Sequence, residues 1–227
     1  MISQIKAEDA EPTVVILMGP PGSGKGTAAV QMSSQLKIPH ISTGEMFRGH
    51  MKNNTDLGKQ VKGLIDAGKL VPDEIVLDML KERISSPDCK NGFILDGFPR
   101  TVPQAEELNK LLGTKYRVIV LDLIVSDKMI MDRLSGRRTC SKCFRTYHIL
   151  YNPPKKEGIC DACGGELIQR KDDMPEVIQE RLKIYHSQTK PLQQFYQQKG
   201  NYVAIDGEKK PDEVLKACLQ VLQKAPV

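Results

Sequence analysis

The stretch from Val14 to Thr27, VVILMGPPGSGKGT, decides the fold. Its first five residues are apolar and mostly β-branched, which predicts a short strand that is buried on both faces. Gly19 then begins the pattern Gly-x-x-x-x-Gly-Lys, in which backbone N–H groups and the lysine cradle the phosphates of a nucleotide. Here Gly26 separates Lys25 from the hydroxyl of Thr27, whereas the usual pattern has Ser or Thr directly after the lysine.

The glycines and the helix expected after them make this loop an anion site. Gly22, Gly24 and Gly26 are expected to adopt positive φ and to bring N–H groups close to a ligand. A helix predicted over 28–36 points its positive N-terminus at the same place, and Lys25 adds a full charge at the β- and γ-phosphates. A glycine-rich turn in another kind of α/β protein is the alternative. The strand before the loop and the helix after it favour a nucleoside triphosphate site.

The composition is that of an ordinary globular protein. The 227 residues suffice for one domain with insertions, and 40% hydrophobic with 27% charged residues is typical of soluble chains. A net charge of +5 suits nucleic acid or small anionic substrates equally well, because no block of like charges occurs. The N-terminus carries no apolar run, so we predict no secretory signal and a loose tail over 1–12. No apolar stretch is long enough to cross a bilayer, so we predict no membrane span and a cytoplasmic protein.

Strands that alternate with helices along the chain predict a parallel sheet covered by helices on both faces. Ser42 with Glu45, and Thr101 with Gln104, stand in capping-box positions at the start of two helices, and Ser126 is expected to cap another. Two segments interrupt the alternation, a helical excursion over 42–71 and a cysteine-containing insertion over 136–173. Further strands are predicted at 37–41, 92–96, 117–123 and 202–205, and further helices from 42, over 55–67, from 72 to about 83, and over 101–112, 126–134, 175–198 (kinked at Pro191) and 211–223.

Four of the six cysteines have the spacing of a zinc ribbon. Cys140-x2-Cys143 and Cys160-x2-Cys163 are separated by sixteen residues, and two such pairs can close a tetrahedral thiolate site. Free thiols or two disulfides are the alternatives. Four equivalent thiolates leave no open position for chemistry, so we predict a structural metal that supplies much of this segment's stability. The remaining two, Cys89 and Cys218, are predicted to be simple buried or surface residues.

The charged residues near the two insertions suggest phosphate chemistry. Asp96 ends a predicted strand, where the acidic partner of a phosphate loop holds Mg²⁺ directly or through water. Arg133 and Arg137 would share a face of a continuous helix, and Arg170 and Arg181 flank the other end of the insertion. Guanidinium groups bind phosphate in a bidentate way, so we predict an arginine clamp around a transferring phosphoryl group.

Several motifs, in order and spacing, resemble those of the adenylate kinase family, over about residues 13–207. The cysteine pairs are similar to the long-lid type, whose lid carries a four-cysteine zinc site. The motifs are GPPGSGKGT (19–27), STGEMFR (42–48), DAGKLVPDE (66–74), LDGFPRTVPQAE (95–106), DRLSGRR (132–138), NPPK (152–155), and RKDD (170–173) followed by Arg181.

The resemblance implies an α/β fold of the P-loop NTPase type, a parallel five-stranded sheet with two mobile inserted domains. The core would comprise 13–41, 72–134 and 174–227, the NMP-binding domain 42–71, and the lid 135–173. The reaction would be the reversible Mg²⁺-dependent conversion of ATP and AMP to two ADP, which serves adenine nucleotide homeostasis. Zn²⁺ would be structural, and the enzyme a cytoplasmic monomer that binds neither nucleic acid nor membranes. Gly68 and Gly136 would ease hinge motion at the borders of the mobile domains.

The resemblance also assigns roles to residues. Arg48 and Arg100 would bind the AMP phosphate, Thr43 and Gln104 would lie near its adenine, and Arg133 would lie against the ATP adenine. The ATP site would comprise Gly22, Ser23, Gly24, Lys25, Gly26, Thr27, Arg133, Tyr147, His148 and Lys209. The AMP site would comprise Thr43, Arg48, Leu70, Val71, Gly97, Phe98, Arg100, Gln104, Arg170 and Arg181. The catalytic set would be Lys25, Arg100, Arg133, Arg137, Arg170 and Arg181, with Asp96 at Mg²⁺ and with Asp172 and Asp173 pairing with arginines.

The sequence departs from the family's motifs at two positions, and two other functions are alternatives. Glu45 replaces the aspartate expected in STGD, and Pro175 begins the helix after the lid abruptly. A UMP/CMP kinase is the nearest rival, but such enzymes typically have Ala in place of Thr43 and Asn in place of Gln104. A zinc-ribbon nucleic-acid-binding protein with an ATPase domain is the rival from another class, although few basic and aromatic residues are interleaved in the ribbon.

Overall fold

The computed structural model describes residues 11–224, so all but the last two residues of the tail predicted over 1–12 lie outside it. Five parallel strands form the central sheet in the order β2-β3-β1-β4-β8, which confirms the predicted fold class. A second, antiparallel sheet of three short strands has the order β6-β5-β7. The strands are β1 (Thr13–Met18), β2 (His40–Ser42), β3 (Gly92–Asp96), β4 (Arg117–Ile124), β5 (Arg137–Cys140), β6 (Thr146–His148), β7 (Leu167–Ile168) and β8 (Tyr202–Asp206).

Helices cover the central sheet and connect its strands. The first begins at Lys25, three residues before the predicted start, because the left-handed Gly24 ends the loop and the chain turns helical at once. Short 3₁₀ turns occur at Pro87–Cys89 and Lys171–Asp173. The α-helices are α1 (Lys25–Leu36), α2 (Thr43–Lys52), α3 (Asp56–Asp66), α4 (Asp73–Ile84), α5 (Val102–Leu112), α6 (Asp127–Ser135), α7 (Pro175–Ile184), α8 (Leu192–Gln198) and α9 (Pro211–Lys224).

The central strand β1 is buried on both faces, as its apolar run predicts. Val14 and Ile16 pack into the cluster that contains residues of α4, α5 and α8, whereas Val15 and Leu17 pack into the cluster that contains residues of α1 and α9. Alternate side chains of a strand point to opposite faces, so each β1 residue contributes to one of two hydrophobic layers. Burial of each such side chain stabilises the fold by about 1.5–3 kcal/mol. The sheet is therefore a rigid base for the loop that follows β1.

Three local predictions are corrected. The second strand occupies 40–42 instead of 37–41. Ser126 does not cap α6 with its side chain, because its hydroxyl and its N–H both donate to Glu208 Oε1, at 2.6 and 2.9 Å. The interruption expected at Pro191 lies earlier, in a π-helical turn over Tyr185–Thr189. Lys190 N–H donates to the Tyr185 carbonyl, five residues back, and this wider turn precedes the proline that cannot donate.

The two insertions contact each other across the cleft above the sheet. At the end of α2, Lys52 Nζ donates to the Lys142 carbonyl at 3.0 Å and lies 5.6 Å from the ring centroid of Phe144. Near the end of α3, Asp66 lies 3.5 Å from Lys171 Nζ. The α2–α3 segment and the cysteine-containing segment therefore meet in a closed arrangement.

Candidate nucleotide-binding site and metal centre

The loop between β1 and α1 has the backbone of a phosphate cradle. Gly19, Gly22 and Gly24 adopt positive φ, of 134°, 79° and 99°. A Cβ on Gly22 would lie 2.7 Å from Leu134, so this glycine also permits close packing. The prediction for Gly26 was wrong, because Gly26 lies within α1 and is helical. Its lack of a side chain serves another purpose, since a Cβ there would lie 3.3 Å from Asp96 Oδ2.

Lys25 places its ammonium inside this loop. Its Nζ donates to the carbonyls of Gly19 and Pro20, at 2.8 and 2.7 Å, and to Ser23 Oγ at 3.3 Å. Burial lowers the pKa of Lys25 to about 8, although the charge of Asp96 opposes this effect. A polyphosphate in the loop would favour the charged form, because an opposite charge stabilises a cation.

Asp96 ends β3 beside the loop and lines the same cleft. Burial acts to raise the pKa of Asp96, but the contact of its Oδ2 with His40 Nε2, at 3.4 Å, and the charge of Lys25 outweigh it and the pKa is lowered. Asp96 therefore remains an ionised carboxylate next to the phosphate cradle. Mg²⁺ prefers such oxygen ligands and binds proteins through one or two carboxylates together with substrate phosphates, so the residue fits the predicted Mg²⁺ role.

Two neighbouring cavities share one wall. The larger, of about 940 Å³, extends from the phosphate loop to the lid and the loop before α9, and a smaller one of about 80 Å³ lies between α2, α3 and the end of β3. Three arginines, Arg48, Arg100 and Arg181, line both. The residues common to both cavities are Gly44, Arg48, Gly68, Leu70, Gly97, Arg100 and Arg181.

The smaller cavity contains most of the residues expected at AMP. Thr43 donates from Oγ1 to the Gly97 carbonyl at 3.0 Å, and Leu70, Val71 and Gln104 also line the cavity. Phe98 differs from expectation, since its side chain is 1% exposed within the core and lines neither cavity.

Gln104 makes a different contact from the one its capping-box position predicts. Its own N–H donates to Thr101 Oγ1 at 3.3 Å, as expected, but its side-chain oxygen accepts from Arg100 N–H at 2.7 Å. The amide group also donates to Asp73 Oδ1 at 2.6 Å, so Gln104 is held by two segments. Sequence reasoning missed Asp73 as its partner, although Asp73 lies within the DAGKLVPDE motif.

The arginines of the shared wall are crowded and partly unpaired. Burial and, after it, the charge of Arg181 lower the pKa of Arg100 to about 10, and its Nε donates to the Gly97 carbonyl at 2.8 Å. Arg48 Nε is buried and has no hydrogen-bond partner among the residues that the structure describes. A buried donor without an acceptor is costly, so this wall is suited to anionic oxygens.

Acidic residues at the lid border hold two other arginines. Arg137 Nε donates to Asp173 at 2.8 Å, and Arg181 donates to Asp173 at 2.9 Å and to Asp172, whose carboxylate lies at 3.2 Å. Asp173 is fully buried, so the two guanidinium groups supply its compensating charge. The pairing expected of Asp172 and Asp173 is present.

The remaining clamp residues come from different elements. Arg137 lies on β5 and not on the helix of Arg133, so the shared helix face predicted for them was wrong. Arg133 Nη1 donates to the Gly207 carbonyl at 2.9 Å, and Arg170 Nε donates to Thr139 Oγ1 at 2.7 Å. Both line the larger cavity with Arg137. Burial, and after it the charge of Arg137, holds the pKa of Arg170 well below its usual value.

The lid side of the larger cavity presents His148 and, from the loop before α9, Lys209. His148 Nδ1 accepts from the N–H groups of Leu150 and Tyr151, both at 3.1 Å, so the other nitrogen, Nε2, is the donor. It is buried and unpartnered within the described part of the chain. Tyr151, which no sequence signal singled out, stacks on His148 and donates to Asp132 on α6.

The four predicted metal ligands converge. The Sγ atoms of Cys140, Cys143, Cys160 and Cys163 lie within 4.8 Å of one another, with two pairs at 3.4 and 3.6 Å. Zn–S bonds of 2.3 Å in a tetrahedron place sulfurs about 3.8 Å apart, whereas a disulfide requires about 2.05 Å. The two-disulfide alternative therefore fails, and the donor set fits a soft divalent cation such as Zn²⁺. The Tyr147 hydroxyl, foremost among several hydrogen bonds, lowers the pKa of Cys160 to about 6.

No helix in the described range is long and apolar enough to cross a membrane.

Comparison with known proteins agrees with the geometry of the site. A family model described as Adenylate kinase matches residues 17–201. Curated proteins named Adenylate kinase from Lachnoclostridium phytofermentans and Acetivibrio thermocellus are each 51% identical over 92% of this chain and 98% and 97% of their own. One from Staphylococcus epidermidis is 50% identical over 92% of this chain and 98% of its own. The chain therefore belongs to the adenylate kinase family.

Proposed function

We propose that the adenylate kinase reaction, the reversible transfer of a phosphoryl group from ATP to AMP, takes place at the wall that the two cavities share. The observation that carries this proposal is that Arg48, Arg100 and Arg181 line both cavities. A phosphoryl group that moves between two bound nucleotides must pass such a boundary. Guanidinium groups there can stabilise its charge throughout the transfer.

On the donor side, ATP would lie in the larger cavity. Lys25 and the N–H groups of the loop at 22–27 would bind the β- and γ-phosphates, with Thr27 towards the Mg²⁺ end. Arg133, His148 and Lys209 also line this cavity and would contact the rest of the nucleotide. Mg²⁺, held through Asp96 and the phosphates, would neutralise charge on the leaving group.

On the acceptor side, AMP would lie in the smaller cavity. Its phosphate would meet Arg48 and Arg100, and the unpartnered Arg48 Nε supports this role. Thr43 and Gln104 would face the adenine, with Leu70, Val71 and Gly97 also lining the cavity. Because Phe98 is buried in the core, only its backbone remains for the contact that the resemblance implies.

The chemistry needs position and charge more than a nucleophile from the protein. The AMP phosphate oxygen attacks the γ-phosphorus of ATP, and the bond from that phosphorus to the bridging oxygen breaks. Arg133, Arg137, Arg170 and Arg181 would surround the migrating group. Water is the competing acceptor, and the contact of Lys52 with the lid supports closure that excludes it.

The metal centre would hold Zn²⁺ in a structural role, with Cys140, Cys143, Cys160 and Cys163 as its ligands. Its four sulfurs leave no open coordination position for substrate. The domain boundaries at 42–71 and 135–173, the monomeric state and the cytoplasmic location remain predictions from the resemblance.

One assay tests the proposal. Formation of ADP from MgATP is measured with AMP, CMP, UMP or GMP as the acceptor, and AMP is expected to be used best. Equal or better use of a pyrimidine nucleotide would contradict the assignment of Thr43 and Gln104 to adenine. ATP hydrolysis that AMP does not affect, together with salt-sensitive binding of DNA or RNA, would instead support the ATPase alternative.

A further inference from the structure

Tyr147 contacts the cysteine cluster, although the resemblance assigns it to ATP. It is the middle residue of β6, and its side chain is 4% exposed. Its hydroxyl oxygen lies 3.4 Å from Cys160 Sγ and accepts a hydrogen bond from the Asp161 N–H at 2.9 Å. Both partners of the Tyr147 hydroxyl therefore belong to the segment of the second cysteine pair, Cys160-x2-Cys163.

The direction of the bond to sulfur follows from simple counting. A phenol carries one hydrogen and two lone pairs, and the Asp161 N–H occupies one lone pair. A cysteine that ligates a metal is a thiolate and has no hydrogen to donate. The Tyr147 O–H must therefore donate to the Cys160 sulfur. Donors to ligating groups fix the orientation of a metal's ligands and tune their basicity.

Strand β6 also forms part of the nucleotide cleft. His148, the next residue, lines the cleft, and it pairs with Arg137 of β5 in the lid sheet. Tyr147 pairs with Arg138 in the same register. One strand of three residues thus carries a residue that contacts the cysteines and, beside it, a residue that lines the cleft.

We propose that Tyr147 is a positioning residue of the metal centre, whose hydroxyl orients the Cys160 thiolate and joins the centre to the cleft wall through β6. This inference rests on the metal centre proposed above. It differs from the ATP contact that the resemblance assigns to Tyr147, because the hydrogen of this hydroxyl and one of its two lone pairs are already used within the lid.

The test compares the full-length wild-type chain with Tyr147→Phe, which removes only the hydroxyl. Zn²⁺ affinity is measured by competition with a chromophoric chelator, and the thiolate-to-metal charge-transfer band is recorded with Co²⁺. We expect the variant to bind Zn²⁺ about 10- to 100-fold more weakly and to shift the Co²⁺ band. Tyr151→Phe is the matched control, because its hydroxyl bonds to Asp132 and not to a cysteine. Its metal affinity should equal that of the wild type.

A measurement on the wild type alone covers the case in which Tyr147→Phe fails to fold. In protein loaded with ¹¹³Cd²⁺, a tyrosine hydroxyl proton should exchange slowly with water and couple to the cadmium nucleus across the Cys160 sulfur. Affinities equal within twofold and an unshifted band, or a freely exchanging hydroxyl, would overturn the role of Tyr147 alone. A wild-type chain that binds no metal would overturn the centre as well, while the AMP-dependent assay tests the kinase proposal separately.

Discussion

The central sheet and the lid acquire a fixed structure in different ways. In the sheet, the residues from Val14 to Met18 are each at most 3% exposed and pack between two layers of helices. In the lid, the buried cluster is small and includes two of the cysteines with Tyr147, while Leu150 and Tyr151 are 71% and 62% exposed. Hydrophobic burial can therefore hold the sheet alone, whereas the lid has few buried apolar residues and would depend on the proposed metal for its stability. In that case the lid could change position or stability without disturbing the base on which the phosphate loop lies.

Removal of the metal should produce the largest difference in stability between the lid and the central sheet. Zinc binding supplies about 10–16 kcal/mol in small zinc-dependent peptides, so chelation should remove most of the lid's stability. Amide exchange of β5 and β6 should accelerate by orders of magnitude, whereas that of β1 should change little. Chelation should lower the thermal stability of the lid strongly and the affinity of the protein for ATP only weakly.

Cys218→Ala is the control for that experiment, because its buried thiol lies in the core and not in the metal cluster. Its effect on melting should be the same with and without metal. A metal-free wild type that melts like the loaded protein would contradict the proposed dependence of the lid on a metal.

The reverse perturbation is Ile16→Ala in β1. Ile16 is fully buried, and truncation of such a residue costs about 2–5 kcal/mol of unfolding free energy. Denaturant titration should show this loss whether or not metal is bound. Val30→Ala, at a position that is 58% exposed, should stay within about 0.5 kcal/mol of the wild type. A loss that disappears in the metal-loaded protein would mean that the core depends on the lid.

Lys25→Ala should affect chemistry and leave both regions folded. Among residues 11–224 its ammonium donates hydrogen bonds to oxygens of the loop alone, so melting should be nearly unchanged. Loss of a preorganised charge at the reacting phosphates typically costs about 10²–10³-fold in kcat, which steady-state kinetics would measure. Lys110→Ala, which removes an exposed partner of Glu107, is the control and should retain full activity. Near-normal turnover of Lys25→Ala would remove this lysine from the catalytic set.

The lowered pKa of Lys25, about 8, predicts a pH effect on the free enzyme. Below this pKa the ammonium is charged and binds phosphate; above it the neutral amine dominates. The KM for MgATP should rise about tenfold for each pH unit above the pKa, whereas kcat should stay flatter because bound phosphates favour the charged form. Initial rates between pH 7 and 9.5 would show this split. A KM that does not depend on pH would contradict it.

The smallest expected effect concerns the contact between the α2–α3 segment and the lid. Lys52→Ala removes the hydrogen bond to the Lys142 carbonyl and the interaction with the Phe144 ring, which is worth about 0.5–1 kcal/mol at an exposed site. Energy transfer between dyes on the two segments would measure the equilibrium constant for closing. This constant should fall about two- to fivefold in the variant. Lys59→Ala, whose partner Asp56 lies on the same helix, should leave it unchanged.

Periodicity and spacing predicted what depends on neighbouring residues in the chain. The apolar run of β1, the cap at Ser42 and the cysteine pairs all have local signals, and each was found as predicted. Some errors are local, such as the bounds of the second strand and the conformation of Gly26, and others concern contacts between distant segments. The Ser126 hydroxyl bonds to Glu208, and Tyr147 turns to Cys160.

The individual roles of site residues depended on the resemblance and not on periodicity. Phe98 shows why, because a phenylalanine next to a strand end can face a ligand or the core equally well. The buried, unpartnered Arg48 Nε likewise has no sequence signature, since burial of one atom depends on every element around it. Such features follow from tertiary packing, which a single sequence does not reveal.

The lone donor of Arg48 also has a consequence for the choice of ligand. A buried N–H group without an acceptor gains most from an anionic oxygen, because a charge-assisted hydrogen bond is stronger than a neutral one. If AMP binds as proposed, adenosine, which has the same base and sugar but no phosphate, would leave this donor without an acceptor. Discrimination between nucleoside and nucleotide would then arise from this buried hydrogen-bond donor as well as from attraction between charges, and it should persist in high salt.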